Sequence, residues 1–418
     1  MLTKFHIFAR NNIVKALSVT VACTVAFGGV HISAMSAPTQ AVPMPVPPPV
    51  LDQPDTIAWQ QFIAAVKPSS LPGKVTYETW ASDQNIYVAN PCTDPATPTG
   101  CNVPTWPSPG VAESPKMLQR SLLGLSHARP MRSRGRLAVQ VIGPDQGCST
   151  PGGIGPGQAA ASSGFPTTGC VGEEVRRDRA SFDYLVQNGL WSRAGLTKFY
   201  KTKSAVTFPV NALQVKADWI PVTVLAAWLG QPQSFVTTNF YTSGASTSTG
   251  VPVTLYAMTS MHVSVKSPGF PDWVWANFEN AYTPGRCDQT GCTDNFGAAI
   301  SSVPAKVAAW TQYGACPKTA QVSRMMINAA VSPVFANYCL TGSQTGFGTK
   351  AVPTLLGSPI IEAVNADVTL ARSSCISCHA RASFNATSVT SPNLTLGPTA
   401  PPPGYVAYDF MWGLLAAS

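Results

Sequence analysis

Leu213-Gln214-Val215-Lys216-Ala217-Asp218-Trp219 alternates apolar and polar residues without a break. A period of two belongs to a β-strand, and it puts Leu213, Val215, Ala217 and Trp219 on one face. Val251 to Val265 continues with Thr, Tyr and Val at strand density, so a sheet is expected at the centre of the chain. Helices are expected around it. Asp55 is read as an N-cap, followed by Ile57, Phe62, Ile63 and Val66 near helical spacing until Pro68. Glu173 to Asn188 reads as a helix with acidic residues at its start, an apolar stripe of Val175, Phe182, Leu185 and Val186, and a stop at Asn188-Gly189. Gln321 to Val331 is a further helical stretch. With 38 prolines, 33 glycines and 11% charged residues in 418, the expected class is α+β: a mainly β, loop-rich body with short helices. No internal repeat is visible, and residues 55–418 read as a single large domain.

The N-terminus reads as an export signal. Lys4, Arg10 and Lys15 form an acid-free basic region, Ala16 to Ile32 is apolar, and Ser33-Ala34-Met35-Ser36-Ala37 is a small-residue segment. Residues 1–36 are therefore assigned to a signal peptide, with cleavage after Ser36 or after Ala41. The alternatives are an uncleaved anchor, which would give peripheral membrane association, and a mitochondrial transit peptide. Residues 37–54, with Pro43, Pro45, Pro47, Pro48 and Pro49, read as an extended linker. The formal charge of +8 falls to +5 in the mature chain, 24 basic residues against 19 acidic ones. That charge permits docking on an acidic protein and is too weak to argue for nucleic acid.

Cys375-Ile376-Ser377-Cys378-His379 carries the chemistry. C-x-x-C-H is the attachment sequence for a covalent c-type haem, with two thiols for the vinyl groups and a histidine for the iron. Eleven cysteines and five histidines in 418 positions yield only roughly 0.003 chance matches, so the motif is specific. A thioredoxin-like pair belongs early in a βαβ unit, whereas this one has 39 residues after it. Zinc needs a fourth ligand and a second pair, neither of which the sequence supplies at finger spacing. Cysteine parity agrees with export. Setting aside Cys23, Cys375 and Cys378 leaves eight, and their clustering favours Cys92 with Cys101, Cys148 with Cys170, Cys287 with Cys292, and Cys316 with Cys339. Eight cysteines allow on the order of a hundred connectivities.

His379 is the expected proximal ligand in a haem-binding segment near 367–418. The other axial position decides between an electron carrier and an open-site enzyme. Histidines left in the mature chain are His127 and His262, and the methionine candidates are Met258, Met261 and Met411. His262 is the preferred distal candidate, weighed against a hydrogen-bonded core histidine. Met411 is the second, weighed against a core methionine. Trp273, Trp275 and Phe278 are expected as an apolar wall, and Glu279 as a candidate proton-handling group. His127 to Arg136 is a basic run that suits haem propionates or an acidic partner, or is a solvated loop.

The ordered set Ala58-Trp59-Gln60-Gln61-Phe62-Ile63, Lys216-Ala217-Asp218-Trp219, His262, Trp273-Val274-Trp275-Ala276-Asn277-Phe278-Glu279 and Ser374-Cys375-Ile376-Ser377-Cys378-His379 resembles the large, single-haem, cytochrome c-like exported proteins of Gram-negative bacteria. The likeness spans most of the mature chain, and within it only the C-x-x-C-H motif is mechanistically specific. The resemblance implies a second histidine three positions after His262, where this sequence has Val265. His262 is then left alone for that role.

The expected function is that of a periplasmic monohaem c-type cytochrome passing single electrons to a redox protein partner through one covalent haem c. The alternatives are a haem enzyme of peroxidase or oxygenase type with an open distal site, and a haem-bearing binding or sensing module.

Overall fold

Among the described residues, seven strands pair into one antiparallel sheet: β1 (Ala81–Ser82), β2 (Gly172–Arg177), β3 (Leu213–Pro221), β4 (Thr242–Ala245), β5 (Thr254–Ser267), β6 (Phe270–Asn280) and β7 (Tyr338–Gln344). The order is β1-β2-β3-β5-β6-β7, and β4 pairs with β5 off that path. A separate pair joins β8 (Ser383–Phe384) to β9 (Val406–Ala407). The helices are α1 (Gln53–Val66), α2 (Asp83–Ile86), α3 (Arg179–Gln187), α4 (Arg193–Tyr200), α5 (Val222–Leu229), α6 (Gln233–Asn239), α7 (Ala320–Asn328) and α8 (Cys375–His379). The chain is therefore α+β. The structure is a computed structural model, and it describes residues 53–93, 98–107, 171–202, 204–245, 254–283, 316–347, 355–358, 360, 373–390, 400–413 and 417. The signal segment 1–36, nearly all of the linker, the basic run 127–136, Cys148, Cys170, Cys287, Cys292 and residues 367–372 lie outside them.

The alternation of Leu213 to Trp219 does what period two requires. Leu213, Val215, Ala217 and Trp219 are buried in one cluster with Trp59, Phe62 and Ile63 of α1, Met261, Val263 and Val265 of β5, and Val274, Ala276 and Phe278 of β6. Two bulges keep that face apolar across the sheet. Asp218 pairs with Ser260 but Trp219 with Met258, so Thr259 is an extra residue, and both Met258 and Met261 turn toward α1. Asn277 likewise pairs with Gly342 but Phe278 with Leu340, leaving Thr341 extra. α7 closes the same side through Val322 and Met326.

A second cluster covers the opposite side, with Phe182 and Leu185 of α3, Leu196 of α4, Ile376 of α8, and Phe384, Tyr408 and Met411. α5 and α6 form a third cluster with Ile220 and Ala257. Two of the expected disulfides are present, Cys92 with Cys101 and Cys316 with Cys339, with Cα atoms 5.0 and 5.8 Å apart. No described helix is long and apolar enough to cross a membrane.

Two local expectations are corrected. Asp55 is not an N-cap, because α1 starts at Gln53 and the buried Asp55 carboxylate instead accepts a 2.6 Å hydrogen bond from the Ser343 hydroxyl of β7. The stretch from Glu173 is not one helix: Gly172–Arg177 is strand β2, and the helix begins at Arg179, with Asp178 accepting from the Ser181 N–H. Four charged residues masked that strand, and each is buried with an opposite charge. Glu174 meets Arg176 at 2.7 Å, Glu173 meets Lys216 at 2.9 Å, and Arg177 meets Asp83. The stop at Asn188-Gly189 is where it was expected, with Gly189 at φ +66°.

Candidate functional site

α8 is a single turn whose start is capped. The Ser374 hydroxyl accepts from the Ser377 N–H, and the Ser374 carbonyl accepts from the Cys378 N–H at 3.0 Å. Helical spacing then sorts its side chains: positions i, i+3 and i+4 share a face. Cys375, Cys378 and His379 are those positions and keep accessible surface, whereas Ile376 and Ser377 are buried in the protein. The two cysteines carry reduced thiols. The turn is docked on the sheet by Gln344 of β7, whose side-chain carbonyl accepts from the Ile376 N–H at 3.2 Å and whose amide reaches Ser374 Oγ at 3.4 Å.

His379 is oriented from behind. Its Nδ1 lies 2.7 Å from the Phe410 carbonyl oxygen, which can only accept, so Nδ1 carries the proton and Nε2 presents a lone pair. The indole of Trp275 packs 4.5 Å from the imidazole centroid. Burial holds the imidazole pKa far below its usual value, down to about 3. The Phe410 carbonyl opposes that shift, the charges of Lys216 and His262 reinforce it, and Glu173 opposes it. The ring is thus neutral at pH 7, as an imidazole that donates a lone pair must be.

The sheet face beneath α8 is built from the polar half of the alternation. Lys216, His262 and Asn277 stand in one cross-strand row; Glu173, Asp218, Ser260 and Glu279 form the next. Asp218, Ser260, Asn277 and Glu279 are fully buried. Asn277 donates to the Gly357 carbonyl at 3.0 Å, and the Ser260 and Ser358 hydroxyls lie 3.5 Å apart, so residues 357–358 lie over this face. His262 Nε2 is 3.6 Å from Asp218 Oδ2, buried, and without a hydrogen-bond partner. The structure therefore places His262 within electrostatic reach of His379, and Glu279 on the same sheet face in the next cross-strand row.

Others it separates. Met258 and Met261 are fully buried on the α1 side, the wrong face of the sheet for this site. The expected aromatic wall is split by the same alternation: Trp273 and Trp275 belong to the α8 side, and Phe278 stacks on Phe62 at 4.1 Å on the other. Met411 is buried in the α8-side cluster and directly follows the residue whose carbonyl meets Nδ1. His127 lies outside the described residues. Sequence reasoning gave no part in the site to Phe410, Asp409, Lys216 or Glu173, although Lys216 lies in the quoted Lys216-to-Trp219 stretch.

The site can tether a group through two thiols and ligate it through one imidazole nitrogen. Among the described residues no three His, Cys, Asp or Glu side chains converge as ligands of a bare metal ion. No protein-family model, no curated protein and no solved structure matches the chain.

Proposed function

We propose that the chain carries one covalent haem c on Cys375, Cys378 and His379, and serves as an exported, periplasmic monohaem cytochrome of the large cytochrome c-like type. The observation that carries this reading is the shared accessible face of Cys375, Cys378 and His379, with His379 Nδ1 held by the Phe410 carbonyl. A bound haem would supply a one-electron iron couple. The chain's own part is to supply the two thiols, aim Nε2, and fix the tautomer, the service that second-shell hydrogen bonds give to ligating histidines. Trp275 and Phe410, with ring centroids 6.3 Å apart, exclude water beside the imidazole. The electron would pass to a redox protein partner.

A second reading, a haem enzyme with an open distal side, is favoured by one observation. His262 points Nε2 at the buried Asp218 carboxylate, 3.6 Å away, so a histidine–carboxylate pair stands on the sheet face beneath α8. One experiment separates the readings. The chain is expressed with c-type maturation machinery, and haem retained after denaturing electrophoresis is measured, together with ferric and ferrous spectra with and without carbon monoxide. One haem per chain, lost in Cys375→Ser/Cys378→Ser, with a low-spin ferrous spectrum unresponsive to carbon monoxide, supports the carrier. A high-spin, carbon-monoxide-reactive haem supports the enzyme. Absence of covalent haem overturns both. In the carrier, His262→Ala converts low-spin to high-spin iron if His262 is the distal ligand.

A further inference from the structure

Non-glycine residues with positive φ are rare, and three of those among the described residues meet at one carboxylate: Trp273 at φ +70°, Asp409 at φ +46° and Phe410 at φ +68°. A bulky aromatic in the left-handed region is held there only when its surroundings over-determine it. The surroundings of Asp409 do so. Its carboxylate is buried, and Oδ2 accepts from the Phe208 N–H at 2.7 Å. Oδ1 accepts from Lys266 Nζ at 2.7 Å and from the Trp273 indole N–H at 3.2 Å. Lys266, at the end of β5, also donates to the Pro271 carbonyl at 2.8 Å and lies 5.6 Å over the Trp273 ring, which fixes its ammonium. Three donors from three segments thus converge on one side chain, and the residue after it carries the carbonyl that meets His379.

We propose that Asp409 is the positioning residue of the site: its clamped carboxylate holds residues 409 and 410 in the left-handed conformation that aims the Phe410 carbonyl at His379 Nδ1, leaving Nε2 outward as the ligating nitrogen. The inference rests on the haem reading only for what Nε2 binds. The hydrogen bond itself belongs to the chain before any haem is attached.

The test uses the full chain expressed without the maturation machinery and labelled with 15N-histidine, with His379 assigned by His379→Gln. In the wild-type chain His379 is expected in the Nδ1–H tautomer. Asp409→Ala shifts the tautomer ratio toward Nε2–H by about fivefold, equivalent to one net hydrogen bond. Asp409→Gly is expected to shift it less, because glycine takes a positive φ without strain. Asp409→Ala/Phe410→Gly, with the strain at position 410 relieved, is expected to recover part of the wild-type ratio. A residue that merely packs would show no such recovery. An unchanged tautomer in folded Asp409→Ala overturns the proposal. If that variant does not fold, Lys266→Met, which removes one of the three donors, gives the reading: a smaller shift in the same direction supports the clamp, and none overturns it. Failure of haem attachment in the wild-type chain would sink the proposed function and leave this outcome standing.

Discussion

The two faces of the central sheet are made by the same strands and do opposite things. On the α1 side, Val215, Ala217, Trp219, Val263, Val274, Ala276 and Phe278 interlock with Trp59 and Phe62 in a continuous apolar core. On the α8 side, the intervening residues are Lys216, Asp218, His262, Asn277 and Glu279, and most of them are buried. An antiparallel sheet usually gives its polar face to water. Here that face is covered, and burying polar groups costs free energy unless each finds a partner. The first face is explained by stability. The second is a cost that the first must carry, as expected where a sheet supports a site rather than a core.

The sharpest way to break this contrast is to weaken the apolar face alone. Phe62 is fully buried, stacked on Phe278 at 4.1 Å and edge-on to Trp59 at 5.7 Å. Phe62→Ala is expected to cost about 3–5 kcal/mol in denaturant unfolding, by lost transfer energy and a residual cavity. The His379 tautomer in the variant that remains folded should be unchanged. A shift in that tautomer at low denaturant would show that the two faces are not energetically separate.

A second effect tests the polar side. In the haem-free chain, the His379 pKa of about 3 lies below the roughly 6.5 of an unfolded histidine. The unfolded chain therefore takes up the proton first as pH falls. The stability contributed by the neutral ring is complete above about pH 6.5, declines between there and about pH 3, and is gone below. Urea midpoints measured across that window should lose this slope in His379→Gln. If the slope persists unchanged, another group carries the acid sensitivity of this face.

How much could be read in advance follows the same division. β3 was legible because its apolar face obeys period two without interruption, and the C-x-x-C-H turn because its residue types are rare. β2 was not, because Glu173, Glu174, Arg176 and Arg177 read as a solvated helix start, and they are inside with opposite charges: Glu174 and Arg176 on each other, Glu173 on Lys216 and Arg177 on Asp83. The bulges at Thr259 and Thr341 were also invisible, and Trp273, Trp275 and Phe278 were read as one wall although the plain alternation of β6 sends Phe278 to the other face. His262 could be nominated by scarcity alone. Asp409 and Phe410 could not, since their part in the site is played through backbone conformation and a main-chain carbonyl, which leave no mark in residue type.

The smallest expected difference separates the two disulfides. Cys316–Cys339 closes a segment of 23 residues' separation that contains α7, a cover of the apolar face. Cys92–Cys101 closes one of only 9, and both of its cysteines border the α8-side cluster. If each bridge acts by restricting the unfolded chain, the stabilisation grows with the logarithm of loop length, and the longer loop contributes more by roughly 0.8 kcal/mol. Urea unfolding of Cys92→Ala/Cys101→Ala and Cys316→Ala/Cys339→Ala should therefore rank the second pair as the costlier loss, with similar m-values. The reverse order would mean that the shorter bridge holds native structure directly. It would then count as part of the scaffold that keeps the polar face covered, and the burden of that face would not rest on the apolar core alone.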